Sequence, residues 1–139
     1  MIYKNFAALF IVSLVVVWPL MDVAQARSRS VPVITPDPIA YGNVSDTEVG
    51  KRVRRVLAKR RWVMKRVSST HVRAYYEKAT SKRTLMASVN IRYGGGKIRF
   101  SYHDSTGFFY DAKSKTIHRK YNSWVRNIYR DLLVEFGDY

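Results

Sequence analysis

The chain has 139 residues, with 25 lysines and arginines against 10 aspartates and glutamates, a net charge of +15, and no cysteine. That length suits one domain with a modest core. The missing cysteine excludes disulfides, thiolate-bound zinc and a cysteine-linked lipid anchor. The charge favours anionic partners: nucleic acid, phosphate-bearing lipid or glycan, and acidic proteins.

The amino terminus has the order of a secretory leader. Lys4 precedes an apolar run from Phe6 to Met21, broken by Ser13 and Pro19, and Ala24-Gln25-Ala26 follows. This predicts a signal peptide over residues 1–26, cleaved before Arg27. The alternative is a retained anchor, but the run falls short of the about 20 apolar residues needed to span a bilayer. Cleavage removes one base, Lys4, and one acid, Asp22, so the mature chain keeps the charge of +15. Export to the periplasm, or out of the cell, sets aside a nuclear address for the basic block "KRVRRVLAKRRW" at 51–62.

Residues 27–44 hold Pro32, Pro36 and Pro38. Proline fixes φ and lacks an amide donor, so an extended tail is expected here, with Val33, Ile34, Ile39 and Tyr41 able to dock on the domain. The folded domain is expected over 45–139. It opens with Ser45-Asp46-Thr47-Glu48, a capping box with acids at the positive end of the helix dipole. Val49, Val53, Val56 and Leu57 then recur at helical spacing and define a core-facing stripe. Lys51, Arg52, Arg54, Arg55 and Lys59 lie outside the stripe. Arg60 lies inside it, which predicts the helix end. The basic block is therefore the outer side of an amphipathic helix, with Arg52, Arg55 and Lys59 as candidate anion contacts.

From Arg61 to His103 the period changes to two. Trp62 and Met64 suggest a first strand. Val72, Ala74 and Tyr76 alternate with His71, Arg73, Tyr75 and Glu77; Leu85, Ala87, Val89, Ile91 and Tyr93 alternate with Met86, Ser88, Asn90 and Arg92; Ile98, Phe100 and Tyr102 alternate with Lys97, Arg99, Ser101 and His103. Half-buried antiparallel strands show this alternation. Gly94-Gly95-Gly96 joins the last two, because tight hairpin turns require positive φ. A two-residue turn at Gly95-Gly96 sets Arg92 opposite Arg99. After a loop, Ile117, Tyr121, Trp124, Val125, Ile128, Leu132 and Phe136 form the apolar stripe of a last helix, with Arg119, Arg126 and Arg130 outside it. The expected fold is α+β: a three- to four-stranded antiparallel sheet with an N-terminal and a C-terminal helix packed on one face.

Trp62 after the basic helix, Ala87-Ser88-Val89-Asn90-Ile91-Arg92-Tyr93, Ile98-Arg99-Phe100-Ser101-Tyr102, Asp104-Ser105 with Tyr110, and Tyr121-Asn122-Ser123-Trp124-Val125 carry a resemblance. Over about residues 48–133 the chain resembles a group of small exported bacterial envelope proteins. The resemblance implies an envelope protein of this α+β layout with no established catalytic site. Members are often lipid-anchored through cysteine, and this chain departs from that.

Candidate chemistry is sparse. His71 and His103 belong to strands expected to be separated by a third, and His118 has no second ligand at helical spacing, so no metal is expected. His103-Asp104-Ser105 contains the residue types of a hydrolytic triad, but consecutive strand residues point to opposite faces. Asp104 and Ser105 read as turn formers ending a strand, and Asp104 with Asp111 as loop aspartates rather than an acid–base pair. The triple glycine joins strand to strand and is no phosphate loop. Phe108-Phe109-Tyr110 reads as a loop folded onto the core rather than a binding wedge.

Charge remains. The outward side of the sheet should carry Arg73, Tyr75, Arg92, Lys97 and Arg99, and like charges set opposite one another repel. The sequence thus points to an exported, non-enzymatic binding module without a cofactor, contacting an anionic envelope component or acidic protein, with peripheral membrane contact included. An extracytoplasmic nucleic-acid-binding protein is the second reading. A small hydrolase around Asp104 is the third.

Overall fold

In the computed structural model, residues 29–137 are described. The expected leader over 1–26 lies outside them. The elements run β1 (Ser30–Pro32), β2 (Ile39–Ala40), α1 (Asp46–Lys59), β3 (Val63–Ser68), β4 (His71–Ala79), β5 (Thr84–Gly94), β6 (Lys97–Thr106), β7 (Thr116–His118) and α2 (Arg119–Phe136). Strands β2-β6-β5-β4-β3 form a five-stranded sheet, and β1 and β7 form a separate two-stranded one, all paired antiparallel.

The α+β class and the antiparallel pairing hold. The number of strands and the placement of the helices differ from expectation. Two strands precede α1, so that helix does not open the fold. β2 comes from the proline-rich stretch: Ile39 pairs with Ile98 and Ala40 with Lys97 at the sheet edge, and Ile39 and Tyr41 are buried. Proline tolerates an edge because it need not donate to a ladder. β7 takes Ile117, which the helical period had assigned to the last helix. β1 pairs with it, Val31 opposite Ile117.

α1 begins as its capping box requires: the Ser45 hydroxyl accepts the Glu48 N–H at 3.3 Å. It buries Val49, Val53, Val56 and Leu57. It ends in a Schellman arrangement. Arg61 N–H donates to the Ala58 carbonyl and Trp62 N–H to the Leu57 carbonyl, both at 2.9 Å, with Arg61 at φ 60°. Arg60 then forms a two-point pair with Asp131 of α2 at 2.7 and 2.9 Å.

The inward residues of the strands, among them Val72, Ala74, Ala87, Val89, Ile91, Ile98 and Phe100, share one core with the buried residues of both helices. Tyr121 lies at its centre, fully buried, its hydroxyl donating to the Ser88 carbonyl at 3.0 Å. Burial removes the tyrosinate's hydration and drives that phenol's pKa far upward. Trp124, by contrast, is only partly buried against this core. It sits edge-on to Tyr76 and Phe108, centroids 4.9 and 5.1 Å away. Phe108 plugs the core at 1% exposure, while Phe109 turns outward through φ 53° to lie under the Arg83 guanidinium.

Candidate anion-binding face

The hairpin between β5 and β6 turns through Gly95 and Gly96 at φ 60° and 77°, the primed geometry that matches strand twist. It sets Arg92 opposite Arg99. Strand pairing extends this relationship into rows across the side of the sheet turned away from the core. One row reads His71, Arg92, Arg99. The next reads Lys65, Arg73, Asn90, Ser101. The third begins Val63, Tyr75, Ser88.

At the end of the third row β6 carries a bulge. The register shifts between Ser88 and Val89, so Ser88 faces Asp104 while Val89 faces Tyr102, and His103 is the inserted residue. A bulge changes which face later residues occupy. Asp104 and Ser105 do not end the strand, which continues to Thr106. Ser105 bonds the Tyr102 hydroxyl at 3.0 Å, and Asp104 accepts the Ser105 backbone N–H at 2.8 Å. These bonds do not link histidine, aspartate and serine into a relay.

Strand β5 is the floor of this face. Ser88 and Asn90 are buried although they point away from the core. Asn90 Oδ1 lies 2.9 Å from His71 Nε2, Ser88 Oγ donates to the Ala74 carbonyl, and Arg92 donates to Ser101 Oγ at 3.3 Å. Arg73 Nε is buried with no hydrogen-bond partner, the sole side-chain nitrogen or oxygen of that kind among the described residues. His103 is held below the ordinary imidazole range by burial first and by the Arg73 charge second, with Asp104 opposing and His71 adding.

The structure divides the sequence-predicted residues into two groups. Arg73, Tyr75, Arg92 and Arg99 fall together on the sheet, with Lys97 beside the hairpin turn opposite Gly94. Arg52, Arg55 and Lys59 lie on α1, and two of them are already engaged. Arg52 pairs with Glu48 at 3.3 Å and lies over the Phe136 ring. Arg55 reaches Glu135 at 3.3 Å. Among the described residues, the ion pairs all involve α1 or its C-cap Arg60, through Glu48, Asp131 and Glu135. The sheet cations have no carboxylate partner of that kind.

Lys65, His71, Ser88, Asn90, Ser101 and His103 complete the face and escaped the sequence reading as site residues. Alternation had placed most of them outward, but only cross-strand register shows that they meet. Among the described residues no group of three potential metal ligands converges, and no helix is long and apolar enough to cross a membrane. No protein-family model and no curated protein matches the chain.

Proposed function

We propose that the protein is an exported, non-enzymatic binding module of the bacterial envelope, which meets an anionic partner through the sheet face opposite both helices. The observation that carries this reading is the Arg92–Arg99 pair, held side by side beside Arg73 with no acidic partner. Like charges facing each other across a ladder destabilise it by about 0.2–1 kcal/mol, and an anion in contact with both reverses that sign. For the cations on and beside α1, the carboxylates of Glu48 on the same helix and of Asp131 and Glu135 on α2 already serve this purpose. The preferred partner is a phosphate-bearing lipid or glycan surface.

A second reading, nucleic acid outside the cytoplasm, is favoured by Tyr75, which is 39% exposed beside Arg73 and offers a ring on which a base can stack. Retention on anionic vesicles, heparin and DNA across a salt series tests the proposal. Replacing Arg92 and Arg99 with glutamine should weaken retention and flatten its salt dependence, because fewer counterions are displaced. Replacing Arg52, Arg55 and Lys59 should matter less. The reverse ranking would move the site to α1, and tightest binding to DNA with a steep slope for every sequence would favour the second reading. N-terminal sequencing of protein from its host tests export; a mature chain beginning at Arg27 is expected.

A further inference from the structure

On the helix side of the sheet, α1 and the end of the β3–β4 hairpin flank a cleft of about 380 Å³. Thr47, Gly50, Lys51 and Arg54 line it from the helix. Their spacing makes them one face of α1, beside the core stripe. Met64 and Arg66 line it from β3. They stand opposite Ala74 and Val72, both buried in the core, and residues directly opposite on a ladder share a face. Arg66 is therefore a cation turned toward α1 rather than toward the open face of the sheet.

Three cations thus meet at this cleft from two elements, and their other ties are weak. Arg54 has no ion-pair or hydrogen-bond partner among the described residues. Lys51 lies 3.9 Å from Glu48, a carboxylate shared with Arg52. Arg66 Nε donates to the Ser68 carbonyl at 3.2 Å, which leaves its terminal nitrogens free. Asp46 also lines the cleft, but its Oδ1 already accepts the Tyr41 hydroxyl at 2.8 Å. The floor carries a second sign. Tyr93 is 7% exposed, yet its hydroxyl has no hydrogen-bond partner among the described residues. Gly50 leaves room for that hydroxyl, because a Cβ there would lie 2.8 Å from its oxygen. Glycine weakens a helix interior, so this space comes at a cost in helix stability.

We propose that this cleft binds a monosaccharide carrying an acidic group, phosphate or carboxylate, at a site separate from the open sheet face. The acidic group meets Arg54, Arg66 and Lys51. The C–H face of the sugar ring lies over Met64, Val72 and Tyr93, and its hydroxyls exchange hydrogen bonds with those of Tyr93, Thr47 and Thr70. Size favours a sugar over a bare ion. Small-molecule sites run from about 300 to 1,000 Å³, and a free phosphate would leave the floor and the hydroxyls in water. The inference does not depend on what the open face binds, since none of that face's cations lines the cleft.

Calorimetric titration of the purified protein tests this, with glucose 6-phosphate, glucuronate, glucose and inorganic phosphate as probes. At least one of the two acidic sugars should bind, and more tightly than glucose or phosphate; which of them binds tighter identifies the acidic group. Arg54→Gln and Arg66→Gln should each weaken that binding about tenfold, as expected for a hydrogen bond to a charged group. Tyr93→Phe should weaken it about fivefold and leave the melting temperature unchanged, since the lost hydroxyl has no partner inside the protein. Arg126→Gln, which removes a charge on α2 outside the cleft, should change neither quantity. If neither acidic sugar binds, if glucose or phosphate binds as tightly, or if the Arg54, Arg66 and Tyr93 variants bind as wild type does, the proposal is overturned. The open-face reading would survive that failure, because it stands on vesicle retention and its loss in the Arg92/Arg99 variant. Circular dichroism of each variant excludes misfolding as the cause.

Discussion

Asn122 Nδ2 donates to the Pro32 carbonyl at 2.8 Å, across 90 positions of sequence. The same side chain accepts the Ile34 N–H through Oδ1 at 3.0 Å. A buried amide on α2 thus acts as a short piece of strand and closes both polar groups of an extended segment that has little ladder of its own. This bond pair holds the segment between β1 and β2 on the domain.

Asn122→Ala should cost about 2–4 kcal/mol, since it removes two hydrogen bonds and leaves their partners to find water. The loosened segment should become the first site of cleavage. Limited proteolysis with mass mapping of the products checks this, and cuts between residues 33 and 38 are expected only in the variant.

Arg61 holds the left-handed position that ends α1, where glycine is the usual occupant. Arg61→Gly should stabilise the fold by about 1 kcal/mol through relief of the Cβ clash. Chemical denaturation measures it; an unchanged midpoint would mean that the arginine makes a compensating contact.

His118 caps α2, its Nδ1 accepting the Lys120 N–H at 3.2 Å. Protonation removes that lone pair. Burial first, then Arg29, Arg83, Arg119 and Lys120, holds this imidazole below its ordinary value of 6.5 in the folded chain. The unfolded chain therefore takes up the proton more readily. The contribution is complete above the unfolded value and is lost as pH falls through the folded one. His103 shifts in the same direction and adds to the effect. Melting temperature should decline from about pH 7 towards pH 5, and His118→Asn should keep the cap and reduce the slope.

Tyr121, rather than Trp124, should be the aromatic whose loss the domain cannot bear. Tyr121→Ala empties the core centre and should cost about 3–5 kcal/mol. Trp124 touches the core through edge contacts with Phe108 and Tyr76, and Trp124→Ala should cost about 2 kcal/mol and still fold. Comparing the yield and melting of the two variants decides the order.

What the sequence determined by itself is what neighbouring residues encode. A capping box, a valine–leucine stripe and the phase of Arg60 define α1 because helix formation depends on contacts three and four positions apart. The alternation of β4, β5 and β6 and the glycine turn set Arg92 against Arg99, because a tight turn leaves the register no freedom. The tertiary structure decided the rest. β2 and β7 are too short to show a period and form only where an edge or a partner strand is already in place. The bulge at His103 depends on pairing across the ladder, so alternation within β6 alone carries Asp104 to the wrong side. Asn122 has no local sign of its role, since both of its partners come from the other end of the chain. The two basic surfaces look alike in composition. Glu48 engages Arg52 within α1, but only the docking of α2 brings Asp131 to Arg60 and Glu135 to Arg55, while among the described residues no carboxylate forms an ion pair with the sheet cations.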